Sequence, residues 1–460
     1  MSSFQVRPPS RPLTGRVTVP PDKSITHRAI IVSAISQGKT RLKKFAVNND
    51  CLATLQALKR LGVRITANRR SIIIYGRGLR GLESAAGAIC VNESGTTMRI
   101  LSGVLAGQYF PTTLTAAKSL SRRPMLRVLV PLRMMGAKIS SKSNPLIGLR
   151  IGVGRSLATK IRNAKIIEEY PPITVSGGNL KAITYKLPVA SAQVKSAILL
   201  AGLYSNGTTR IVEPLKTRDH TERMLKLFKA KIKIKANAVS IEGGGELSSP
   251  AVIDIPGDIS SAAFFILAAS ILPGSCLTIK SVGLNPTRMG AVRVLKRMGA
   301  DIRIRKSKTT AAYGYEPSGD ITVKASVLEG TRVNRQEMPF LIDEMPLLMV
   351  AASNAKGKTL FEGVEELRVK ETDRINSMVN NLNKMGANIR VKQENTKVDI
   401  VVIGSKLLVG AKVSSFGDHR TAMSMIIAGL KARGRTVIDD IDCINKSFPG
   451  FLKLLKSLKQ

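Results

Sequence analysis

The sequence predicts an α/β protein of two domains, each assembled from three copies of one repeated unit, and three observations carry that expectation. A chain of 460 residues, 43% of them hydrophobic, exceeds the roughly 250–300 residues at which one core gives way to several. Six apolar, small-residue segments recur, each opened by a polar cluster and closed at or near a glycine, the usual helix stop. After each opening, a second and amphipathic segment begins 26 to 31 residues later. So steady a spacing means repetition.

The first segments are "DKSITHRAIIVSAISQG", "ESGTTMRILSGVLAG", "SAQVKSAILLAGLYSNG", "GDISSAAFFILAASILPG", "DEMPLLMVAASNAKG" and "GDHRTAMSMIIAGLKARG". They are apolar nearly all round, so each is expected to be a helix enclosed by its own domain. The second segments run from "NNDCLATLQALKRLGVRIT" to "SFPGFLKLLKSLKQ", and several close on "GA" before a β-rich run. Their polar stripe is expected to face water. Measured from Ser24, Ser94, Ser191, Ser260, Asp343 and Asp418, the second segments are anchored at Asp50, Pro124, Asp219, Thr287, Glu371 and Pro449. The sixth copy reaches Gln460 without a strand pair, while "LTGRVTVP" is a strand with no helix before it. That strand is therefore expected to complete the sixth unit. The expected domains are a continuous one over residues 22–255 and a discontinuous one of 1–21 plus 256–460. The crossings fall at "VPPDKS" and "IPGDIS", where Pro and Gly suit a hinge.

Composition narrows the function classes. Aromatic residues are 4% and Trp is absent, leaving few stacking platforms for single-stranded nucleic acid. Cys51, Cys90, Cys276 and Cys443 include no CxxC pair, which argues against zinc and against a disulfide scaffold. They are expected to be packing residues in a reducing compartment. The N-terminal "MSSFQVRPPSRPLTG" has no apolar run, and no stretch approaches the ~18 apolar residues of a membrane span, so a soluble, cytoplasmic protein is expected. A formal charge of +41 suggests a polyanionic partner. Its Lys and Arg are spread along the chain, as in "LKLFKAKIKIKA", which fits a basic solvated surface better than a dedicated nucleic-acid face.

Helix N-termini present unpaired N–H groups and a partial positive charge that attract anions. At the openings and first turns stand Lys23, Ser24 and Arg28; Gly95, Thr96 and Arg99; Arg123; Ser191 and Gln193; Arg218; Asp343; Lys370, Glu371 and Arg374; His419 and Arg420; and Lys446. Basic groups dominate among few carboxylates. That mixture suits a substrate bearing carboxylates and phosphates, with Asp and Glu left to move protons. Plainer readings hold elsewhere. "YGRGLRG" from Tyr75 fits GxGxxG, but "LESAAGAICV" after it lacks a helical opening, so a turn is expected. His220 has no second His or Cys for a metal. His27 is expected to be a solvated neighbour of the site, and with Ser24 it lacks a third member for a hydrolase triad.

Nine motifs in order, "DKSITHRA", "NESGTTMR", "SRRPM", "SAQVKSA", "TRDHTERML", "LIDEMP", "LRVKETDRI", "FGDHR" and "KSFP", make the chain resemble the 5-enolpyruvylshikimate-3-phosphate (EPSP) synthase family along its length. The resemblance implies the enolpyruvyl transferase fold, two domains of three units each, with the active site in the interdomain cleft. It implies transfer of the enolpyruvyl group of phosphoenolpyruvate to the 5-hydroxyl of shikimate 3-phosphate, releasing phosphate, on the route to chorismate and the aromatic amino acids. No metal and no organic cofactor are implied. By the family pattern Lys23 touches both substrates, and Ser24, Arg28, Ser191, Ala192 and Gln193 hold shikimate 3-phosphate. "SAQ" and "TRDHTERML" resemble the branch often called class II, in which Arg218 helps bind the same ligand. Arg123, Arg374, Arg420 and Lys446 are implied to clamp phosphoenolpyruvate, with Gly95 closing against it, Lys370 beside the reacting centre and Thr96 among the substrate-binding residues. Asp343 is implied to serve the hydroxyl and Glu371 the C3 carbon, with Lys23 and His419 assisting.

Gly95 matches the position where a larger residue would crowd the inhibitor glyphosate. Pro21 stands where the family motif usually has Gly, and the crossing is expected to survive because both residues adopt extended conformations. The resemblance calls for no more than a monomer, no membrane and no specific nucleic acid. The alternatives are enolpyruvyl transfer to UDP-N-acetylglucosamine, which generally uses a loop cysteine whose context neither Cys51 nor Cys90 has, and a basic nucleic-acid-binding protein.

Overall fold

The computed structural model describes residues 3–68, 71–145, 167–307, 316–404 and 407–458. The chain divides into two compact units, one of Lys23–Ile255 and one made of the residues up to Asp22 together with those from Pro256 onward. We refer to them as the continuous and the discontinuous domain.

In the continuous domain the helix Lys23–Ala34 leads to the strand Lys39–Lys44, the helix Asn49–Arg60 and the antiparallel strands Ile65–Ala67 and Ile72–Tyr75. The same order of helix, strand, helix and hairpin recurs from Gly95–Leu105 to Ile167–Ser176, and again from Ala192–Gly202 to Ala238–Glu242. A short strand preceding each first helix lies parallel to the strand that follows it: Ile89–Cys90 in the second copy and Thr184–Lys186 in the third. Parallel neighbours require a crossover connection, and the first helix supplies it. In the discontinuous domain, copies open at Ile259–Ile271, Met345–Ser353 and His419–Lys431.

The crossings alter this plan. Thr14–Thr18 precedes the first copy's helix, yet it is the parallel edge strand of the fourth copy, beside Cys276–Gly283. Val252–Asp254 precedes the fourth copy's helix, yet it is the parallel edge strand of the first, beside Lys39–Lys44. Each strand stays in the domain that the chain is leaving. The expectation that "LTGRVTVP" completes the sixth unit is therefore corrected. Phe4–Val6 does so, antiparallel to Thr436–Ile438, because the sixth sheet already owns a parallel edge, Lys412–Val413, and lacks only the antiparallel partner.

Local chemistry explains the helix ends. Ser94, Ser191, Asp258 and Asp418 are N-caps whose side chains accept from first-turn N–H groups. Second helices end at glycines in the left-handed region, as at Gly62 and Gly386, both with φ 83. In the third copy Lys229 holds that place at φ 63, against the preference of a residue with a Cβ. All 13 residues of Ile259–Ile271 are buried, and in the discontinuous domain the three first helices pack on one another. In the continuous domain Gly95–Leu105 packs on both other first helices. Gly103 permits that approach, since a Cβ there would lie 2.2 Å from the Ala197 carbonyl oxygen. After Ile72–Tyr75 the "YGRGLRG" segment continues without a helix to Ile89–Cys90. Among the described residues no helix is long and apolar enough to cross a membrane.

Candidate active site

The predicted residues fall into two clusters, one per domain. In the continuous domain they gather at the openings of the three first helices. Lys23 begins its helix and its Nζ lies 3.0 Å from Asp50 Oδ2. Arg28, one turn on, is buried and held in place: Nη1 donates to the Ser24 carbonyl (2.9 Å), Nη2 to Ser196 Oγ (2.9 Å) and Nε to Thr221 Oγ1 (2.7 Å). Ser191 caps the helix that carries Ala192 and Gln193. Gln193 Oε1 accepts from Arg99 Nη1 at 2.9 Å, and its Nε2 donates to Thr96 Oγ1 at 3.1 Å. Gly95 faces two guanidinium groups, for a Cβ placed on it would lie 2.9 Å from Arg99 Nη1 and 3.0 Å from Arg123 Nη1. Arg218 sits half-buried on the segment leading to the helix His220–Leu227.

His27 corrects an expectation. It is buried, with Nδ1 2.7 Å from Thr54 Oγ1, and Thr54 continues to Thr97 (2.6 Å) and on to Ser94 (2.6 Å). The helix face it occupies turns inward, so it braces two helix openings instead of meeting solvent. The cysteine expectation holds for half the set: Cys51 and Cys443 are buried, whereas Cys90 and Cys276, at strand ends, are exposed. Burial, with Asp440 next, pushes the Cys443 thiol up to about 12, so it stays a thiol.

In the discontinuous domain one arginine organises the carboxylates. Arg374 is 1% exposed, and its guanidinium meets Asp418 (Nε to Oδ2, 2.8 Å), Glu371 (Nη2 to Oε2, 2.6 Å) and Asp343 (Nη1 to Oδ1, 3.5 Å). Arg420 donates to the Asp343 carbonyl at 2.8 Å, reaches Glu344 Oε1 at 3.3 Å and stands 4.0 Å from Asp343 Oδ2. His419 is buried at the helix opening, 4.0 Å from its neighbour Asp418, and Lys446 Nζ donates to the Gly417 carbonyl at 3.4 Å. Burial holds the Lys370 ammonium below the ordinary lysine range, against the pull of Asp343, Glu366 and Glu371. Burial alone would raise Asp418, but Arg374 and then His419 outweigh it and hold the carboxylate below the usual range. Among the described residues no group of three or more His, Cys, Asp or Glu is arranged to hold a metal.

Sequence reading missed the supports of this cluster. Arg288 is buried between Asp22 Oδ2 (3.3 Å) and Asp258 Oδ1 (3.5 Å), and donates to Ser260 Oγ at 2.5 Å. Ser260 donates in turn to Glu344, the partner of Arg420. Asp22 and Asp258 lie at the two crossings, where Asp22 N–H donates to Pro256 O and Asp258 N–H to Pro20 O, both at 2.8 Å. The crossings and the Arg420 cluster thus share one buried network. A hint was present, since "DKS" and "GDIS" each set an Asp beside a crossing; their common partner 266 positions from Asp22 was not legible.

Burial, then Asp22, pushes the Asp258 carboxyl up to about 6, against Arg288 and Arg420. An acid whose pKa is raised by folding favours the fold below its unfolded value near ~4, and that contribution is lost as pH rises through about 6. Asp258→Asn keeps the capping oxygen and removes the titration. Its melting temperature is expected to fall less than that of the wild type between pH ~4 and ~6. Parallel profiles for the two proteins would refute the assignment.

With fold and clusters in place, three comparisons converge. The family model for EPSP synthase (3-phosphoshikimate 1-carboxyvinyltransferase) matches residues 7–166 and 154–455. A 3-phosphoshikimate 1-carboxyvinyltransferase of Desulforamulus reducens is 45% identical over 451 residues, 98% of each chain. One from a Geobacter species is 43% identical over the full length of both. The solved EPSP synthase of Acinetobacter baumannii matches with a TM-score of 0.82 at 40% identity, covering 99% of this chain and 98% of its own. The enolpyruvyl transferase NikO of Streptomyces tendae shares the fold, with a TM-score of 0.73 at 15% identity over 99% and 96% of the two chains. The repeated α/β architecture, the full-length relatives and the family model agree, and the chain belongs to the EPSP synthase family.

Proposed function

We propose that this chain transfers the enolpyruvyl group of phosphoenolpyruvate to the 5-hydroxyl of shikimate 3-phosphate and releases phosphate. In this reading Lys23, Ser24, Arg28, Thr96, Ser191, Ala192, Gln193 and Arg218 hold shikimate 3-phosphate. Gly95, Arg123, Lys370, Arg374, Arg420 and Lys446 hold phosphoenolpyruvate, and Lys23 serves both. The observation that carries the reading is Arg374: one buried guanidinium contacts both Asp343 and Glu371, the carboxylates needed for two opposite proton transfers.

The 5-hydroxyl attacks C2 as Asp343 takes its proton, and Glu371 delivers a proton to C3, giving a tetrahedral phospholactyl intermediate. In collapse C3 returns its proton, the C2–O bond to phosphate breaks and phosphate departs. Lys23 and His419 assist these transfers. Two phosphorylated acids repel each other unless cations intervene, and the arginines and lysines of both clusters supply them. The proposal includes a cytoplasmic enzyme working as a monomer through the residues of both domains, without metal or organic cofactor.

A coupled assay tests it: phosphate release must require phosphoenolpyruvate and shikimate 3-phosphate together. Release with UDP-N-acetylglucosamine in place of shikimate 3-phosphate, or tight salt-dependent binding of DNA with no release at all, would overturn the reading.

Gly95→Ala tests the phosphoenolpyruvate side. The added methyl must displace the Arg99 and Arg123 guanidinium groups that it would meet at 2.9 and 3.0 Å. The KM for phosphoenolpyruvate is expected to rise about tenfold, the worth of one weakened charged contact, and any inhibition by glyphosate is expected to weaken. Unchanged values of both would remove Gly95 from the site.

A further inference from the structure

The helix Ala192–Gly202 carries one charge that neither the proposed chemistry nor the core explains. Lys195 is fully buried, with Nζ 3.0 Å from Glu213 Oε2 and 2.6 Å from Glu222 Oε1, and both glutamates are buried with it. Taking an ammonium and two carboxylates out of water is costly, and an apolar set of the same shape often folds at least as well. The repeat itself demonstrates the apolar solution. Four residues beyond the caps Ser94, Asp258, Glu344 and Asp418 stand Met98, Ala262, Leu348 and Ala422, all buried. Four beyond Ser191 stands Lys195.

The trio is distinguished by what it joins. Lys195 lies on the helix opened by Ser191, Ala192 and Gln193, and its neighbour Ser196 accepts from Arg28 Nη2 at 2.9 Å. Glu213 Oε1 accepts from the Thr217 N–H at 3.1 Å and from the Thr217 hydroxyl, which pins the chain immediately before Arg218. Glu222 follows Thr221, whose hydroxyl accepts from Arg28 Nε at 2.7 Å. Three segments, each holding or orienting a proposed acceptor-binding residue, meet on one ammonium. Glu222 Oε2 is buried without a hydrogen-bond partner among the described residues. Burial raises the Glu222 carboxyl, against the pull of Lys195, so the fold bears this charge at a disadvantage.

We propose that Lys195, clasped between Glu213 and Glu222, is a positioning residue that sets the spacing of Ser191–Gln193, Arg218 and Arg28 around the phosphorylated acceptor. This rests on the reading that those residues hold shikimate 3-phosphate.

Lys195→Met alone strands two buried carboxylates and is a test of folding only. The informative variant is the neutral triple Lys195→Met/Glu213→Gln/Glu222→Gln, with Glu222→Gln beside it as the milder arm. For the triple, a melting temperature near that of the wild type is expected, together with a KM for shikimate 3-phosphate raised about ten- to a hundredfold and a KM for phosphoenolpyruvate within about twofold. Glu222→Gln is expected to show the same split at smaller size, and it decides the matter should the triple not fold. Equal changes in both KM values, or none, in a folded variant would overturn the proposal. A wild type whose phosphate release ignores shikimate 3-phosphate would instead overturn the substrate reading beneath it.

Discussion

Asp343→Asn and Glu371→Gln are each expected to lower turnover by about 10²–10⁴ while leaving the KM of either substrate within a few-fold, the usual worth of a positioned acid or base. The geometry separates these roles from simple binding. Both carboxylates lie against Arg374, at 3.5 and 2.6 Å, and each amide keeps the shape and one accepting oxygen for that contact. What each variant loses is the ability to exchange a proton. The two should differ in one readout. Glu371→Gln is expected to suppress incorporation of solvent deuterium at C3 of phosphoenolpyruvate, because that carbon gains and returns a proton within one turnover. Asp343→Asn is expected to slow formation of the tetrahedral intermediate in a single turnover, because the hydroxyl keeps its proton. Steady-state rates within a few-fold of wild type in both variants would remove these residues from the chemistry.

The parts legible in the sequence share a physical reason: they are local. Helix identity follows from apolar faces and caps, so the first helices from Lys23–Ala34 to His419–Lys431 lie where the segments place them. The stop signals are local too, since a glycine after a helix provides the left-handed residue its last carbonyls need. Strand partnership is not local. "LTGRVTVP" reads as a strand on its own, but its neighbour is chosen by which sheet edge lies open, and Leu13 N–H finds Ser275 Oγ across 262 positions. The proposed site residues divide the same way. Those at helix openings are visible, as Lys23, Gly95 and Arg420 were. Buried charges such as Arg288, Glu344 and Lys195 look like ordinary surface charges in a chain of 72 basic and 31 acidic residues, and only burial distinguishes them. His27 failed for the converse reason: nothing in "KSITHRA" says which side of the helix turns inward.

Arg374→Met is expected to destabilise the fold strongly. At 1% exposure the side chain serves three carboxylates, and its removal leaves Asp418 enclosed with the backbone N–H donors of its own helix cap and His419 at 4.0 Å. Breaking a buried ion pair in this way costs about 3–5 kcal/mol, which lowers the melting temperature of a domain of this size by on the order of 10 °C. The pH dependence identifies the cause. In the wild type burial raises the Asp418 carboxyl but Arg374 and then His419 outweigh it and hold it below the usual range, so its contribution is present above the unfolded value near ~4 and is lost as pH falls through the depressed one. Without Arg374, burial dominates and lifts the carboxyl, so the sign reverses: the variant gains relative stability as acid neutralises Asp418. The gap in melting temperature between variant and wild type should therefore narrow from pH ~7 toward pH ~5. Arg374→Lys is expected to recover little, since a single ammonium cannot present three donors to three separated carboxylates as the planar guanidinium does. A gap that is constant across this range, or a lysine variant as stable as the wild type, would mean that Arg374 acts by filling space and not as the shared cation of the cluster.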